Sequence, residues 1–247
     1  MKNFFIKMHN KARALNDQNI LNMLVVDPNA DILDLGCDDG TWTVKVVNKI
    51  KTNNIYGIEI VESSAKEAED KGIKVKISDL NANFPFEDNS FDVIHANQII
   101  EHIAFLDNFL SEVIRVLRPG GYVVMGTENA SSWHNIFASL FGWQIFSLSN
   151  LSVKKAGLGN PFALHRGDPG ASPSWTHKTV FNWRGLKEFF EAHGFTKVEI
   201  RGAGYYPLPA CFGKFDPRHS HYIQIKGIKR GQAPFLKRND ACPLKST

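Results

Sequence analysis

The fold of this chain is decided by the stretch Ile32-Leu-Asp-Leu-Gly-Cys-Asp-Asp-Gly40, in which a short apolar run meets a glycine-rich turn. The apolar run predicts a buried strand, and the turn predicts the start of a helix. In a parallel α/β sheet this first strand-to-helix turn is the usual cofactor loop, because ligands bind at the carboxyl ends of the strands. The dinucleotide fingerprint requires glycine at its first, third and sixth positions. Counted from Gly36, those positions hold Gly36, Asp38 and Thr41, so the turn does not match that fingerprint.

Apolar runs alternate with helical patterns from this stretch to residue 128, which is typical of βαβ units. We predict strands at 32–35, 54–60, 73–77, 91–96 and 122–125, and helices within 1–29 and at 41–50, 62–71 and 104–117. Further on, Asn182 is a predicted helix N-cap and Gly194 a predicted helix stop, and strands follow at 198–200 and 222–225. The predicted fold is a Rossmann-like, doubly wound α/β fold. Its seven-stranded sheet is mostly parallel with an antiparallel last strand, and an aromatic-rich insertion follows the fifth strand.

The composition describes a globular chain of 247 residues, since 43% are hydrophobic and 22% charged. No run approaches the roughly 18 uncharged apolar residues that a membrane span needs. Lys7 interrupts the apolar start, which argues against a secretory signal. Three cysteines are too few and too scattered for a disulfide framework or a metal cluster. We therefore predict one domain over 1–247, a cytoplasmic location and no metal site.

The net charge of +4 is unevenly distributed along the chain. Residues 226–247 hold six basic residues and one acidic residue, and the remainder of the chain has a net charge of −1. The pI of about 8.9 therefore comes from the end of the chain, which weakens an argument for nucleic-acid binding. We predict a solvated basic tail over 226–247.

Four acidic residues fall at or just after the ends of successive predicted strands: Asp34, Asp38, Glu59 and Asp79. Such a lining would repel a pyrophosphate. S-adenosylmethionine carries a sulfonium, an ammonium, a ribose diol and an adenine amine, and it has no phosphate. Because carboxylates accept hydrogen bonds from all of these donors and favour the cations, the charges indicate S-adenosylmethionine as the cofactor.

At this point the chain resembles a known family, the class I S-adenosylmethionine-dependent methyltransferases, and within it the type 11-like branch that acts mostly on small molecules. The resemblance covers about residues 30–128. Six motifs carry it, in order and at the expected intervals: Asp34-Leu-Gly-Cys-Asp-Asp-Gly40, Glu59, Asp79-Leu80, Phe91-Asp-Val-Ile94, Glu101-His102 and Leu117-Arg-Pro-Gly-Gly121.

The resemblance implies a role for each matching residue in holding the methionine half of the cofactor. Gly36 and Gly40 would pass under the methionine part, and Asp34 would lie near its ammonium. Asn97, just after the fourth strand, would lie near the methionine end and the reacting methyl group. The family often has glycine where this chain has Asp38.

The adenosine half would be held by residues after the second and third strands. Glu59 would accept hydrogen bonds from both ribose hydroxyls. Asp79 would meet the adenine amine, with the backbone of Leu80 beside it.

Residues 129–178 are the predicted acceptor lid. Regular periodicity is lost there, and large aromatic side chains are interspersed with glycine and proline. Such a segment suits a cover over an apolar, planar or sugar-like group, although the same aromatics would also suit the packing of a helical insertion. His102 follows the fourth strand, so it is the candidate acid/base or acceptor contact.

The predicted function is methyl transfer from S-adenosylmethionine to a small molecule, with oxygen taken from the family as the acceptor atom. Amino-methylating DNA enzymes of this fold carry an Asn/Asp-Pro-Pro-aromatic turn, where this chain has Ala96-Asn-Gln-Ile99. Two alternatives stay open: an RNA or protein substrate recruited by the basic tail, and a module that binds S-adenosylmethionine without catalysis.

Overall fold

The centre of the protein is a seven-stranded sheet with the strand order β3-β2-β1-β4-β5-β7-β6. The computed structural model describes residues 2–168 and 173–231. The strands are β1 (Asp31–Leu35), β2 (Asn54–Glu59), β3 (Lys74–Ile77), β4 (Phe91–Asn97), β5 (Leu117–Glu128), β6 (Phe195–Ala203) and β7 (Tyr222–Lys229). The first five strands pair in parallel, and β7 runs antiparallel to both β5 and β6. The predicted sheet is therefore confirmed, including its antiparallel last strand.

Six α-helices accompany the sheet in the described part of the chain: α1 (Lys2–Met23), α2 (Thr41–Ile50), α3 (Glu62–Glu69), α4 (Leu106–Val116), α5 (Trp133–Leu140) and α6 (Trp183–Ala192). The predicted cap of α6 is confirmed, because the side chain of Asn182 accepts a hydrogen bond from Gly185 N at 2.7 Å. Gly194 follows the end of α6 with φ +89°, a conformation that only glycine adopts readily.

The alternation of side chains along β1 builds two cores, one on each face of the sheet. Ile32 faces a cluster that includes residues of α1 and α2. Leu33 and Leu35 face the opposite side, where the cluster includes α4 and α6 and extends to Ile225 in β7. Helices on both faces of a mostly parallel sheet make the fold doubly wound, as predicted.

The segment 129–178 contains local structure that its irregular sequence did not predict. Its described residues hold α5 and two short 3₁₀ turns, Phe146–Leu148 and Pro173–Trp175. Both ends of the segment are hydrogen-bonded to residues next to the sheet. Asn129 N donates to His221 O at its start, and Lys178 N donates to Glu101 O at its end. The segment therefore lies against the carboxyl ends of β4 and β5.

The predicted basic tail begins too early, because β7 continues to Lys229. Lys226 Nζ donates to Met23 O and lies 4.0 Å from the ring centroid of Tyr122. Lys229 Nζ donates to the carbonyl oxygens of Ile114 and Leu117. Both ammonium groups therefore have partners within the folded chain. The remainder of the predicted tail, residues 232–247, lies outside the described residues.

Candidate functional site

The predicted cofactor residues meet at one edge of the sheet, because the strands that carry them are neighbours. Strand β1 lies between β2 and β4, with Leu35 opposite Ile58 and Asp34 opposite His95. The loops after these parallel strands therefore leave the sheet side by side. Sequence order alone does not establish that adjacency.

The glycine-rich turn has a backbone that side chains would not allow at two of its positions. Gly36 has φ +71°, and a Cβ there would collide with the side chain of Ile99. Gly40 has φ +77°, and a Cβ there would lie 2.6 Å from Ile73 Cδ1. Asp38 also has positive φ, at +46°, which aspartate tolerates better than most residues. Asp38 thus occupies the left-handed region, which glycine would adopt without a steric cost.

Glu59 connects the end of β2 to the glycine-rich turn. Its Oε2 accepts a hydrogen bond from Asp38 N at 3.0 Å, and its Oε1 accepts from Ile60 N and Val61 N, both at 2.8 Å. The residue is 8% exposed. These three backbone donors orient the carboxylate, and acceptor capacity is left for hydroxyl groups of a ligand.

Asp34 has two protein partners on its carboxylate. Oδ1 accepts from His95 Nδ1 at 2.7 Å, and Oδ2 accepts from Thr43 Oγ1 at 2.5 Å. His95 Nε2 in turn accepts from Trp42 Nε1 at 3.1 Å, so the ring carries its proton on Nδ1. Asp34 is 2% exposed and fastens β1 to α2 and β4. Each carboxylate oxygen keeps a further lone pair, so Asp34 could accept from an ammonium without losing either bond.

The residues after β3 lie beside Glu59, since Ser78 N donates to Glu59 O at 3.2 Å. Asp79 is exposed, and its Oδ1 accepts from both the backbone N and the side-chain Nδ2 of Asn81. Leu80 is half-buried and packs against the core cluster of β1 and β2. This position suits the adenine contacts that the resemblance implies.

Asn97 ends β4 and belongs to a chain of amides that sequence reasoning did not predict. Its Oδ1 accepts from Asn16 Nδ2 at 3.1 Å, and Asn16 Oδ1 accepts from Gln224 Nε2 at 2.8 Å. Gln224 Oε1 accepts from Asn19 Nδ2 at 2.8 Å. Helix α1 thereby reaches the site. The available signal was the pair of asparagines three residues apart in a helix that also carries apolar residues.

His102 lies beside Glu101, its neighbour in the turn after β4, and beside His177, which lies near the end of the segment 129–178. The rings of His102 and His177 are 4.9 Å apart in an edge-on arrangement. Burial, with the charge of the nearby His177 acting in the same direction, lowers the pKa of His102 to about 4. Burial raises the pKa of Glu101 to about 7, against the opposing influence of His177. Glu101 Oε2 accepts from Thr127 Oγ1, whereas Oε1 is buried with no hydrogen-bond partner.

A second group of rings lies next to this one, and sequence reasoning also missed it. His134 stacks on His221 with ring centroids 4.5 Å apart, and Tyr206 meets both rings edge-on. His134 Nδ1 and both ring nitrogens of His221 are buried without a hydrogen-bond partner. Burial lowers the pKa of both histidines, to about 3 for His134. Burial and the charge of Glu128 raise the pKa of Tyr206.

A cavity of about 710 Å³ lies elsewhere, at the amino-terminal edge of the sheet. Its lining includes Asp31, Phe91 and Arg118, which lie at the starts of β1, β4 and β5. Because ligands of parallel α/β sheets bind at the carboxyl ends of the strands, this cavity is not the cofactor site.

The sheet order, the glycine-rich turn and the carboxylate at the end of β2 together define an S-adenosylmethionine-dependent methyltransferase. The residues fit that cofactor, since the turn admits no side chain at Gly36 or Gly40 and the edge offers carboxylates instead of a phosphate site. The chain belongs to the family described as a methyltransferase domain, whose family model matches residues 8–200.

The chain is also similar to two individual relatives, one of which is named as a methyltransferase. The chain is 28% identical over 177 residues to a demethylmenaquinone methyltransferase of Staphylococcus aureus, which covers 68% of this chain and 69% of that protein. It is 33% identical over 119 residues to an uncharacterized 37.1 kDa protein of a Streptomyces fradiae transposon, which covers 46% of this chain and 34% of that protein.

Solved structures share the fold at low identity. A methyltransferase from Thermotoga maritima, described as a possible histamine N-methyltransferase, has a TM-score of 0.60 at 18% identity and covers 92% of this chain and 93% of that one. A phosphoethanolamine N-methyltransferase from Haemonchus contortus, solved with S-adenosylhomocysteine, has a TM-score of 0.57 at 13% identity and covers 87% of this chain and 52% of that one. In the described residues no helix is long and apolar enough to cross a membrane.

Proposed function

We propose that this methyltransferase transfers a methyl group to a hydroxyl oxygen of a small molecule, which binds between the segment 129–178 and the carboxyl edge of the sheet. The observation that carries this proposal is a set of buried polar atoms in that region without a hydrogen-bond partner: Gln98 Nε2, Glu101 Oε1, His134 Nδ1, and Nδ1 and Nε2 of His221. A buried polar group without a partner is costly, and a polar ligand would supply the missing partners.

The burial of these atoms supports a small acceptor over a macromolecule. The His134 ring is covered by Phe146 of the same segment, with ring centroids 5.3 Å apart. His134 is half-buried and His221 is 7% exposed, so a ligand that contacts their buried nitrogens would displace part of the segment 129–178 and then fit beneath it. The demethylmenaquinone methyltransferase among the relatives also carries a small-molecule acceptor in its name.

The cofactor would be held by the residues of the carboxyl edge. Glu59 would meet the ribose hydroxyls, Asp79 and the Leu80 backbone would meet adenine, and the turn from Gly36 to Gly40 would lie along the methionine part. Asn97 lies at the end of β4, between this turn and the buried polar atoms. The bound cofactor supplies an electrophilic methyl group, whose transfer to a hydroxyl oxygen leaves a neutral thioether on the cofactor and a proton to be removed.

His102 is the residue that we propose as the proton acceptor. Its Nδ1 lies 3.2 Å from the carbonyl oxygen of Thr176, which can only accept a hydrogen bond. Nδ1 therefore carries the ring proton, and Nε2 has the free lone pair. The rest of the catalysis is alignment and exclusion of water, which the segment 129–178 provides when it is closed.

The basic tail gives less support to an RNA or protein acceptor than its sequence suggested, because Lys226 and Lys229 belong to β7. Their Nζ atoms donate to backbone carbonyl oxygens of the protein itself. A module that binds the cofactor without catalysis would have no use for buried, unpaired polar atoms next to Asn97.

Incubation of the protein with methyl-labelled S-adenosylmethionine and a whole-cell lysate tests the proposal. The lysate is then separated into small molecules, RNA and protein, and a labelled compound is examined by NMR to find the methylated atom. We expect the label in the small-molecule fraction as an O-methyl group, and its loss with the His102→Asn variant. Label in RNA or protein alone, or on nitrogen or carbon, would overturn the proposal.

A further inference from the structure

We propose that Glu101, His102 and His177 form a binding site for one divalent transition-metal ion of the Zn²⁺ or Co²⁺ type. Each of the three residues offers one ligand atom, and these three atoms all lie within 4.8 Å of one another. Two of the residues are consecutive in the turn after β4, and the third lies near the end of the segment 129–178, before α6. Lys178 N and Thr179 N both donate to Glu101 O and hold the two pieces of chain together.

The hydrogen bonds around both histidines are compatible with metal ligation through Nε2. His102 Nδ1 lies 3.2 Å from Thr176 O, and His177 Nδ1 lies 2.6 Å from Ser147 O. Because a carbonyl oxygen only accepts, each Nδ1 must carry the proton and each Nε2 must carry the lone pair. Outer hydrogen bonds of this kind orient metal-binding histidines and increase their basicity.

Glu101 supplies the second, independent observation. The residue is 1% exposed, its Oε2 accepts from Thr127 Oγ1, and its Oε1 is buried without a partner. A buried carboxylate oxygen of this kind lacks the donor or cation that buried charges require. A divalent ion would satisfy Oε1 directly, while Thr127 keeps the carboxylate oriented from the other side.

The donor set selects the kind of ion. Two imidazoles and one carboxylate suit Zn²⁺, Co²⁺ and similar ions, whereas Mg²⁺ and Ca²⁺ prefer oxygen ligands. Glu128 adds negative charge nearby, since its Oε2 lies 4.0 Å from His177 Nδ1. The His177 side chain is 17% exposed, so an ion has a path from solvent. Three protein ligands leave a fourth position open for water or a ligand oxygen.

This site shares Glu101 Oε1 and His102 with the proposed acceptor site, so an ion bound here competes with the acceptor and with the proposed role of His102. An ion bound to Nε2 takes the lone pair that would otherwise accept the proton. The two occupants of His102 exclude each other, so Zn²⁺ should inhibit methyl transfer over the concentration range in which it binds. Binding without inhibition would overturn His102 as the proton acceptor and leave the metal site standing.

Calorimetric titration of the full chain with Zn²⁺, without cofactor or acceptor, tests the site. We expect one ion per chain, and an affinity at least about tenfold weaker in the Glu101→Gln and His177→Asn variants. His193→Asn is the matched control. The His193 side chain is 16% exposed and its Nδ1 also faces a backbone carbonyl, Phe189 O, but a single carboxylate lies near it.

The absorption spectrum with Co²⁺ separates this site from ligation by a cysteine. Cys211 is exposed, and a thiolate would add charge-transfer bands that nitrogen and oxygen ligands do not produce. The absence of Zn²⁺ binding, unchanged binding in both variants, or a thiolate spectrum would overturn the proposal. Should Glu101→Gln fail to fold, the His177→Asn variant decides the matter, because that side chain is partly exposed.

Discussion

The contacts of Glu59 lead to a quantitative prediction for cofactor binding. The Glu59→Gln change keeps the size of the side chain and removes its negative charge. Oε1 of the glutamine can still accept from Ile60 N and Val61 N, whereas the amide nitrogen would face the donor Asp38 N. Alanine is a poorer choice, because it would leave all three backbone donors without this acceptor and disturb the turn itself.

The expected loss follows from the hydrogen bonds that the charge would make to the ribose. Hydrogen bonds to a charged group contribute about 1.5–3 kcal/mol. That range corresponds to a roughly 10- to 150-fold higher Kd for S-adenosylmethionine. Because Glu59 is 8% exposed, solvent should screen these bonds little.

Calorimetric titration with S-adenosylmethionine measures the change in Kd, and a thermal unfolding curve shows whether the variant is folded. Glu62→Gln is the matched control, since Glu62 is exposed in the first turn of α3, three residues further on. We expect the control to bind as the wild type does. A folded Glu59→Gln variant with wild-type affinity would refute the assignment of Glu59 to the ribose.

Three further predictions concern other parts of the chain. A protein that ends at Gly231 should fold and bind the cofactor, because β7 is then complete; circular dichroism and titration measure this. Phe146→Ala should impair methyl transfer more than Trp143→Ala, with cofactor affinity unchanged within a few-fold, because Phe146 covers His134; turnover assays measure this. The free energy of unfolding should fall by about 1.4 kcal/mol per pH unit for each of His134 and His221 as the pH drops below about 6.5; denaturant unfolding at several pH values measures this.

The sign of the pH effect follows from the direction of the pKa shifts. Burial lowers the folded-state pKa of both rings, so below about pH 6.5 the unfolded chain binds protons that the folded chain does not. His9, Glu128, Tyr206 and Tyr222 surround the pair. A His134→Phe variant should lose part of this acid sensitivity. If its stability varied with pH as that of the wild type does, the His134 ring would not be a cause of the acid sensitivity.

The other two predictions have equally definite contrary outcomes. Loss of folding on truncation at Gly231 would mean that residues 232–247 are structural. Hydrogen exchange reports on the segment 129–178, which should exchange fast in the free protein and slow down when the acceptor binds. Wild-type turnover in both aromatic variants, with slow exchange throughout the free protein, would mean that these rings are ordinary core.

The sequence by itself determined the strands, the glycine-rich turn and the family, because each of these has a local signature. Glycines at positive φ, alternating apolar residues and the cap at Asn182 act within a few residues of themselves. The exact ends of helices and strands were harder to predict. The helix predicted over 104–117 is α4, Leu106–Val116, and Leu117 already belongs to β5. Leu117 is fully buried as a strand residue, so its apolar character could not distinguish the two structures.

Only the tertiary structure decided which distant residues meet. His177 lies beside His102 although 75 positions separate them, and Asn16 contacts Asn97 across 81 positions. The lysines predicted for a solvated tail instead donate to backbone carbonyls of the folded chain. These contacts depend on the order of strands in the sheet and on the path by which the chain returns to it. Local periodicity carries no information about either, because it records which face of an element is buried and not what is packed against that face.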